Sequence, residues 1–117
     1  MEELREITQE QLEEVLLKHK LWLEDKEGGE KADLSYCDLR DAYLKGAILE
    51  KADLTGANLE GANLRDANLR DANLIGANLI DANLEYANLE YADLRDANLT
   101  NTILQDTIIS NDNKEYI

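Results

Sequence analysis

The chain places an aliphatic side chain at every fifth position over most of its length. Leucine or isoleucine recurs without a skip from Leu34 to Ile109, and a small residue stands two positions before each one. That small residue is alanine in thirteen cases, and the exceptions are Cys37, Thr102 and Thr107. The position between the small and the large residue is mostly asparagine or aspartate. Residues 32–111 therefore divide into sixteen pentads of one design.

A period of five fits neither common element of secondary structure. Each residue of an α-helix turns by about 100°, so leucines five apart would spread around the axis instead of forming a stripe. On a flat strand, side chains alternate between faces, and an odd spacing would send every other leucine to the opposite side. If the backbone turns a corner in each pentad, both the small and the aliphatic residue can point inward. The pattern thus predicts a β-solenoid, and the spacing alone allows either three or four pentads per coil.

The pentads also resemble a known family. The run Ala62-Asn63-Leu64-Arg65-Asp66 is similar to the repeat of the pentapeptide-repeat proteins. That resemblance implies an all-β solenoid, specifically a right-handed quadrilateral β-helix with four pentads per coil and about four coils in all. The outward positions that depart from asparagine or aspartate cluster in the first and last coils, where terminal repeats are usually atypical. They are Tyr43, Ile48, Ile103 and Ile108.

Residues 1–31 precede the repeat and carry the signals of a helical cap. Thr8 followed by Gln11 forms a capping-box pattern. One helical stripe holds Leu12, Val15, Leu16, His19 and Leu23. We expect the helix to end at Gly28-Gly29 and to cover the open end of the solenoid, where core and unpaired backbone would otherwise be exposed. The order of Leu16, His19, Trp22 and Leu23 is also similar to the segment ahead of many pentapeptide-repeat arrays.

Three single residues of reactive or aromatic type are interpreted as structural. Cys37 takes the place of an inward alanine, so it is expected to be buried. His19 is the one histidine and has no cysteine or carboxylate cluster at metal-ligand spacing beside it, so a structural or surface role is expected. Trp22 is expected in the core beneath the first coil.

The charge balance limits the possible partners and locations. The formal net charge is −14, which opposes direct binding to nucleic acid or to an anionic membrane surface. A single cysteine allows no internal disulfide, and the N-terminus lacks the basic start and apolar run of a secretory signal. The chain is therefore expected in the cytoplasm. No stretch has the roughly 18 consecutive apolar residues of a membrane helix.

A four-pentad coil stacks residues twenty apart and so predicts the outer surface. Charges of opposite sign mostly meet in two columns, Glu50-Arg70-Glu90 and Lys45-Arg65-Glu85. The third coil adds outward apolar residues that form a candidate interaction surface. They are Ile75, Ile80, Tyr86 and Tyr91.

The C-terminal end is expected to be less protected than the N-terminal end. Residues 112–117 form a short tail that is too brief for a convincing capping helix. We therefore expect tail-to-tail dimerisation through the last coil. The expected contacts are Ile103, Leu104, Ile108 and Ile109, with Ile117 as a further candidate. In the alternative, Tyr116 and Ile117 fold back over this end.

These features favour a non-enzymatic structural or protein-interaction module whose partner the sequence does not identify. We predict no catalytic residues, no cofactor and no metal site, because a regular convex rod offers no pocket that would shift the pKa of a carboxyl group. The family resemblance supplies an alternative, since some members mimic DNA and bind DNA gyrase. A third alternative is a hydrolase site or ligand-binding pocket between the cap and the first coil.

Overall fold

A computed structural model describes residues 3–117 and shows a solenoid of four stacked coils with a helix at its N-terminal end. Helix α1 spans Gln9–Leu23, and a short 3-10 helix spans Asn111–Tyr116. Between them the chain makes isolated parallel bridges instead of long strands, as in Asn63 with Asn83 and Asn83 with Ile103. Each bridge within the solenoid joins residues twenty apart, which confirms four pentads per coil.

The four faces of the solenoid are named here by their pentads. Face one begins with residues 32–36, face two with 37–41, face three with 42–46 and face four with 47–51, and each face repeats every twenty residues. Hydrogen bonds run along the axis between coils. The Leu64 N–H donates to the Asn83 carbonyl at 2.8 Å, and the Asn83 N–H donates to the Ala62 carbonyl at 2.9 Å. Because each coil satisfies the backbone of its neighbour, the tube needs no other scaffold.

The predicted inward residues form the core. Every repeat leucine from Leu34 to Leu94 is buried, and so are Cys37 and most of the inward alanines. Alanine fits because it shares the narrow interior with a leucine two residues later.

The last residue of each pentad from 32–36 to 102–106 turns the corner with a left-handed backbone, at φ values between 56° and 70°. Glycine, aspartate and asparagine adopt this conformation at low cost, and they fill most of these positions. Tyr36, Lys51, Tyr86 and Tyr91 are the exceptions. The corner residue was not recognised in the sequence, although four of the six glycines occupy it.

The asparagine or aspartate of each pentad points outward as predicted and has a bonding role as well. Its side-chain oxygen accepts the N–H two residues later, as Asn63 Oδ1 does from Arg65 at 3.1 Å. All twelve pentads with asparagine or aspartate at this position make this bond. The side chain thereby holds the backbone in its turn.

Helix α1 begins as predicted and ends earlier. The Thr8 hydroxyl accepts the Gln11 N–H at 3.1 Å, and Gln11 Oε1 accepts the Thr8 N–H at 2.8 Å, so the capping box is present. The helix stops at Leu23 rather than at the glycines. Its end is a Schellman motif, in which the Lys26 N–H donates to the Leu21 carbonyl at 2.9 Å across a left-handed Asp25.

The cap covers the tube with its apolar side. Leu12 is buried in the core, and the partly buried Ile7, Val15 and Leu16 pack against that core. Ahead of the helix, Arg5 forms a parallel bridge with Cys37 at the start of face two. The Arg5 N–H donates to the Tyr36 carbonyl at 2.7 Å, and the Arg5 carbonyl accepts the Asp38 N–H at 2.8 Å. The cap thus protects both the core and part of the strand edge.

The expectation that Trp22 lies in the core was wrong. Trp22 is 37% exposed, because His19, one turn earlier, takes the buried position and Trp22 stacks on its outer side. At the other end, the tail was expected to be too short for a convincing capping helix, yet Asn111–Tyr116 form a six-residue 3-10 helix with Asn113 buried. The Asn113 side-chain amide donates to the Leu89 carbonyl at 3.2 Å and fixes this helix against face four.

Candidate interaction surfaces

The predicted charge columns form on faces three and four. Arg65 pairs with Glu85 at 3.0 Å. Arg70 lies among three carboxylates, at 3.6 Å from Glu50, 3.2 Å from Glu90 and 3.1 Å from Asp71. The Glu90 hydrogen bond is the main reason that the pKa of Arg70 is raised. These exposed pairs are screened by water, so they neutralise the surface more than they stabilise the fold.

The remaining charge is unevenly divided among the faces. In residues 32–111, faces one and two carry eight carboxylates against two arginines, whereas faces three and four carry six carboxylates against four basic residues. Both arginines on faces one and two form ion pairs within their own pentads. Arg40 lies 2.7 Å from Asp38, and Arg95 lies 2.6 Å from Asp93. Faces one and two are therefore the more negative side of the tube.

The predicted apolar residues of the third coil are distributed around the tube. Ile75 lies on face one and Ile80 on face two, and both are half-buried. Tyr86 and Tyr91 occupy the corners after faces three and four and are 51% and 53% exposed. The four side chains thus encircle the tube, and a flat partner would contact two of them at most.

The two tyrosines hold a backbone conformation that is costly for their residue type. Their φ values are 62° and 61°, in the left-handed region where most of the other corners have glycine, aspartate or asparagine. Tyr91 also has the Arg70 guanidinium over its ring at 5.3 Å. Exposed aromatic rings on a strained backbone are found at contact sites more often than by chance.

The last coil leaves apolar groups uncovered at the C-terminal end. Leu99, Leu104 and Ile109 point inward yet remain partly exposed, whereas the equivalent leucines one coil earlier are buried. Ile103 on face three and Ile108 on face four are 47% and 53% exposed. The structure therefore brings all four predicted self-association residues to one end, together with an open strand edge.

Polar side chains partly complete this last coil. The hydroxyls of Thr102 and Thr107 donate to the carbonyls of Leu79 and Leu84, each at 2.7 Å, and Asn113 makes the corresponding bond to Leu89. Threonine thus replaces the inward alanine where there is no further coil to pack on it. The replacement of alanine by threonine was visible in the sequence, but the carbonyl groups that the threonine hydroxyls bond to were not.

A cleft of about 370 Å³ lies between α1 and face one, at the place of the third sequence alternative. Its walls mix basic and acidic side chains, including Arg5, Lys18, Lys31 and Glu14, and the buried Cys37 also lines it. Burial raises the pKa of the Cys37 thiol, which keeps it protonated and unreactive. Within residues 3–117, no group of three or more histidine, cysteine or carboxylate side chains is placed to hold a metal ion.

Comparison with known proteins identifies the class. The profile of the family described as pentapeptide repeats matches residues 30–61, 62–101 and 77–111, with eight copies of its unit. The chain belongs to the pentapeptide repeat family, whose fold is the right-handed quadrilateral β-helix. No curated protein matches it.

Several solved structures are similar to the chain. A pentapeptide repeat protein, Rfr23, from the cyanobacterium Cyanothece 51142 is 43% identical over 69% of this chain and 58% of its own length, with a TM-score of 0.45. Another from the Arabidopsis thaliana thylakoid lumen is 35% identical over 68% of this chain and 52% of its own, with a TM-score of 0.37. A third, alr5209 from Nostoc PCC 7120, is 30% identical over 81% of this chain and 84% of its own, with a TM-score of 0.39. The chain thus spans little more than half of the first two.

The described helices of residues 3–117 include none that is both long enough and apolar enough to cross a lipid bilayer.

Proposed function

We propose that this chain is a protein-binding module without enzymatic activity of its own. Members of the family generally act as structural or interaction modules. The observation that carries the proposal is the uncovered last coil, where Leu99, Leu104 and Ile109 are partly exposed beside Ile103 and Ile108. Exposed apolar side chains grouped at one end mark a contact surface.

The occupant we propose for this end is a second copy of the chain. The N–H groups of Leu79 and Leu84 donate to carbonyls of the last coil, but those of Leu99 and Leu104 have no backbone acceptor within residues 3–117. A two-fold axis at the last coil would place identical open edges and identical apolar residues against each other. Both the unpaired backbone and the apolar core would then be covered in one step.

Charge predicts how this association responds to salt. Each copy carries a net charge of −14, so two copies repel each other at low ionic strength. Burial of apolar side chains does not weaken when salt is added. The dimer is therefore expected to tighten as salt rises, which is the opposite of an interface held by ion pairs.

Sedimentation equilibrium on three proteins tests the proposal. The native chain should be a concentration-dependent dimer, and Ile108→Asp should be a monomer. Ile48→Asp is the matched control, because Ile48 is an exposed isoleucine in the same position of face four at the opposite end. It should dimerise as the native chain does. A native chain that stays monomeric at high concentration and high salt would contradict self-association.

The third coil supplies the proposed contact surface for a different protein. Tyr86 and Tyr91 are the most exposed of its four apolar residues and lie at neighbouring corners on either side of face four. Affinity capture with the native chain and with a Tyr86→Asn, Tyr91→Asn variant should recover a partner from the first alone. Equal recovery would remove this surface from the proposal.

Mimicry of DNA toward DNA gyrase is the second candidate. It is favoured by the excess of carboxylates over basic residues on faces one and two, eight against two, which makes this side of the tube the more negative one. A supercoiling assay with purified gyrase tests it directly. Micromolar protein that neither inhibits the enzyme nor protects it from a quinolone would discard this candidate.

We also propose a cytoplasmic location, a reducing compartment in which the free thiol of Cys37 is stable. A fluorescent fusion to the C-terminus followed by cell fractionation tests it. Recovery outside the cytoplasm would contradict the proposal.

A further inference from the structure

His19 is the most deeply buried polar residue of the cap. Its side chain has no exposure to solvent, and it bonds through both ring nitrogens. The Ala32 N–H donates to Nδ1 at 2.9 Å, and Nε2 lies 2.7 Å from the Glu50 carbonyl. Because Nδ1 accepts, the ring proton is on Nε2, and the imidazole is neutral.

The two bonds join the beginning and the end of the first coil. Ala32 opens that coil and Glu50 lies near its close. In the later coils, the corresponding groups bond to backbone: the Ala52 N–H donates to Leu49, and the Arg70 carbonyl accepts from Lys51. In the first coil, no earlier pentad lies in the stack to provide a backbone carbonyl for the Ala32 N–H or a backbone N–H for the Glu50 carbonyl. The His19 imidazole bonds to both groups instead.

These bonds are also the polar attachment of α1 to the tube. Within residues 3–117, no other side chain of α1 makes a hydrogen bond or ion pair to the repeat. The other contacts are apolar and come from Leu12, Val15 and Leu16. A change at His19 therefore acts on the docking of α1, whereas Arg5, ahead of the helix, makes its own bonds to the tube.

We propose that His19 is an acid-sensitive latch that holds the cap on the solenoid when neutral and releases it when protonated. A proton on Nδ1 would point at the Ala32 N–H, which is also a donor, so that hydrogen bond would be lost. The charge would also be placed on a side chain that has no exposure to solvent. Release of α1 would uncover the apolar N-terminal end of the tube, and so create a contact surface for proteins in addition to the last and third coils.

The charged groups around His19 affect the latch in opposite directions. Burial is the main cause that lowers the pKa of His19, and the Glu50 carbonyl bond opposes it. Lys31, on the segment that enters the first coil, lowers the pKa further, and the Glu50 carboxylate raises it. On α1 itself, Lys18 and Lys20 stand next to His19 in the sequence and are also positive. Val15 and Leu23, one turn away, do not titrate.

The sign of the effect follows from the lowered pKa. Above the ordinary histidine pKa of about 6.5, the His19 imidazole is neutral in both the released and the docked cap, so its titration does not affect docking. Below that value the released form binds a proton and the docked form does not. The equilibrium constant for docking then falls by up to about tenfold per pH unit, until the pH reaches the pKa of the docked imidazole.

Hydrogen exchange of the full-length chain, corrected for intrinsic rates, tests the latch between about pH 7.5 and about pH 5. Amides of α1 should lose about tenfold or more in protection as the pH falls, while amides of the second and third coils keep theirs. Trp22 stacks on His19 with ring centres 5.6 Å apart and is the single tryptophan, so its fluorescence gives an independent signal. Unchanged α1 protection across this range would overturn the proposal.

Two variants separate a latch from a merely structural histidine. His19→Gln keeps a donor for the Glu50 carbonyl but cannot take up a proton, so its α1 protection should not depend on pH in this range. Lys31→Gln removes a positive neighbour that lowers the pKa of docked His19, so that pKa moves toward the ordinary value and α1 should lose less protection on acidification than in the native chain. A loss as large as the native one in Lys31→Gln, or in His19→Gln, would contradict the latch. If His19→Gln does not fold, the Lys31→Gln result decides alone.

Discussion

The ring of Tyr36 lies against Gly56, and a β-carbon on that glycine would overlap the ring carbons. The two residues are twenty apart and occupy the same corner in successive coils, after face one. Gly76 follows in the same column, and nothing lies within 4 Å of the place where its β-carbon would be. The φ values of the two glycines, 63° and 67°, are nearly equal, so the pair separates crowding from backbone strain.

Gly56→Ala should therefore destabilise the protein more than Gly76→Ala. Each substitution adds the cost of a left-handed alanine, about 1 kcal/mol, and Gly56→Ala also displaces the tyrosine, for a total of about 2–3 kcal/mol. Urea unfolding measures both. In the Tyr36→Ala background the difference should disappear, and a difference that persists there would show that Tyr36 is not its cause.

Substitutions at neighbouring positions should show which side chains face inward. Leu64 is fully buried and Arg65 is half-exposed on face three. Leu64→Asp places a charge inside the tube and should abolish folding, and Leu64→Ala should cost about 2–5 kcal/mol. Arg65→Ala should cost less than about 1 kcal/mol. Equal effects of Leu64→Ala and Arg65→Ala in thermal melts would contradict the inward and outward assignment.

Tyr86→Asn should raise stability by about 1 kcal/mol, because asparagine tolerates the left-handed backbone and tyrosine does not. Tyr86→Ala is the control, since alanine removes the ring but keeps the strain. It should give no gain in the free energy of unfolding. If alanine stabilises as much as asparagine, the ring and not the backbone is the source of the cost.

Cys37 should resist alkylation in the native protein. It is buried under the Arg5 bridge, and its raised pKa keeps the thiol protonated. Modification by iodoacetamide should be slower than at an exposed thiol by about a hundredfold or more, because it requires opening of the structure. Leu17→Cys in a Cys37→Ala background supplies the exposed thiol, since Leu17 lies on the solvent side of α1. Similar rates in the two proteins would contradict the burial of Cys37.

The repeat was predictable from sequence because each side chain of a pentad has one environment throughout. The period of Leu34, Leu39 and their successors separates inside from outside without any long-range information. The corner was missed although it is visible, since Gly46, Gly56 and Gly61 share one position with many aspartates. Only the structure shows that this shared position is a left-handed backbone rather than a polar surface.

The ends of the chain were less predictable because each of their contacts occurs once. His19 and Trp22 are three residues apart on α1, and the stripe that places one inside can place the other at its margin. His19 faces the tube, where it accepts a hydrogen bond from the Ala32 N–H that follows the loop after Leu23. In the same way, Asn113 is buried because a carbonyl of a particular leucine lies within its reach. A contact that occurs only once leaves no periodic pattern in the sequence.

The match of Arg70 with Glu50 and Glu90 limits how a chain of this kind can change in length. Duplication of five residues keeps every leucine inside, yet it moves all later residues to the next face. A duplication between Glu50 and Arg70, or between Arg70 and Glu90, would therefore place the two members of that pair on different faces. Duplication of twenty residues lengthens the tube and returns each downstream side chain to its own column. The buried core thus tolerates insertion of single pentads, whereas the paired charges on the surface are kept only when the insertion is a whole coil of twenty residues.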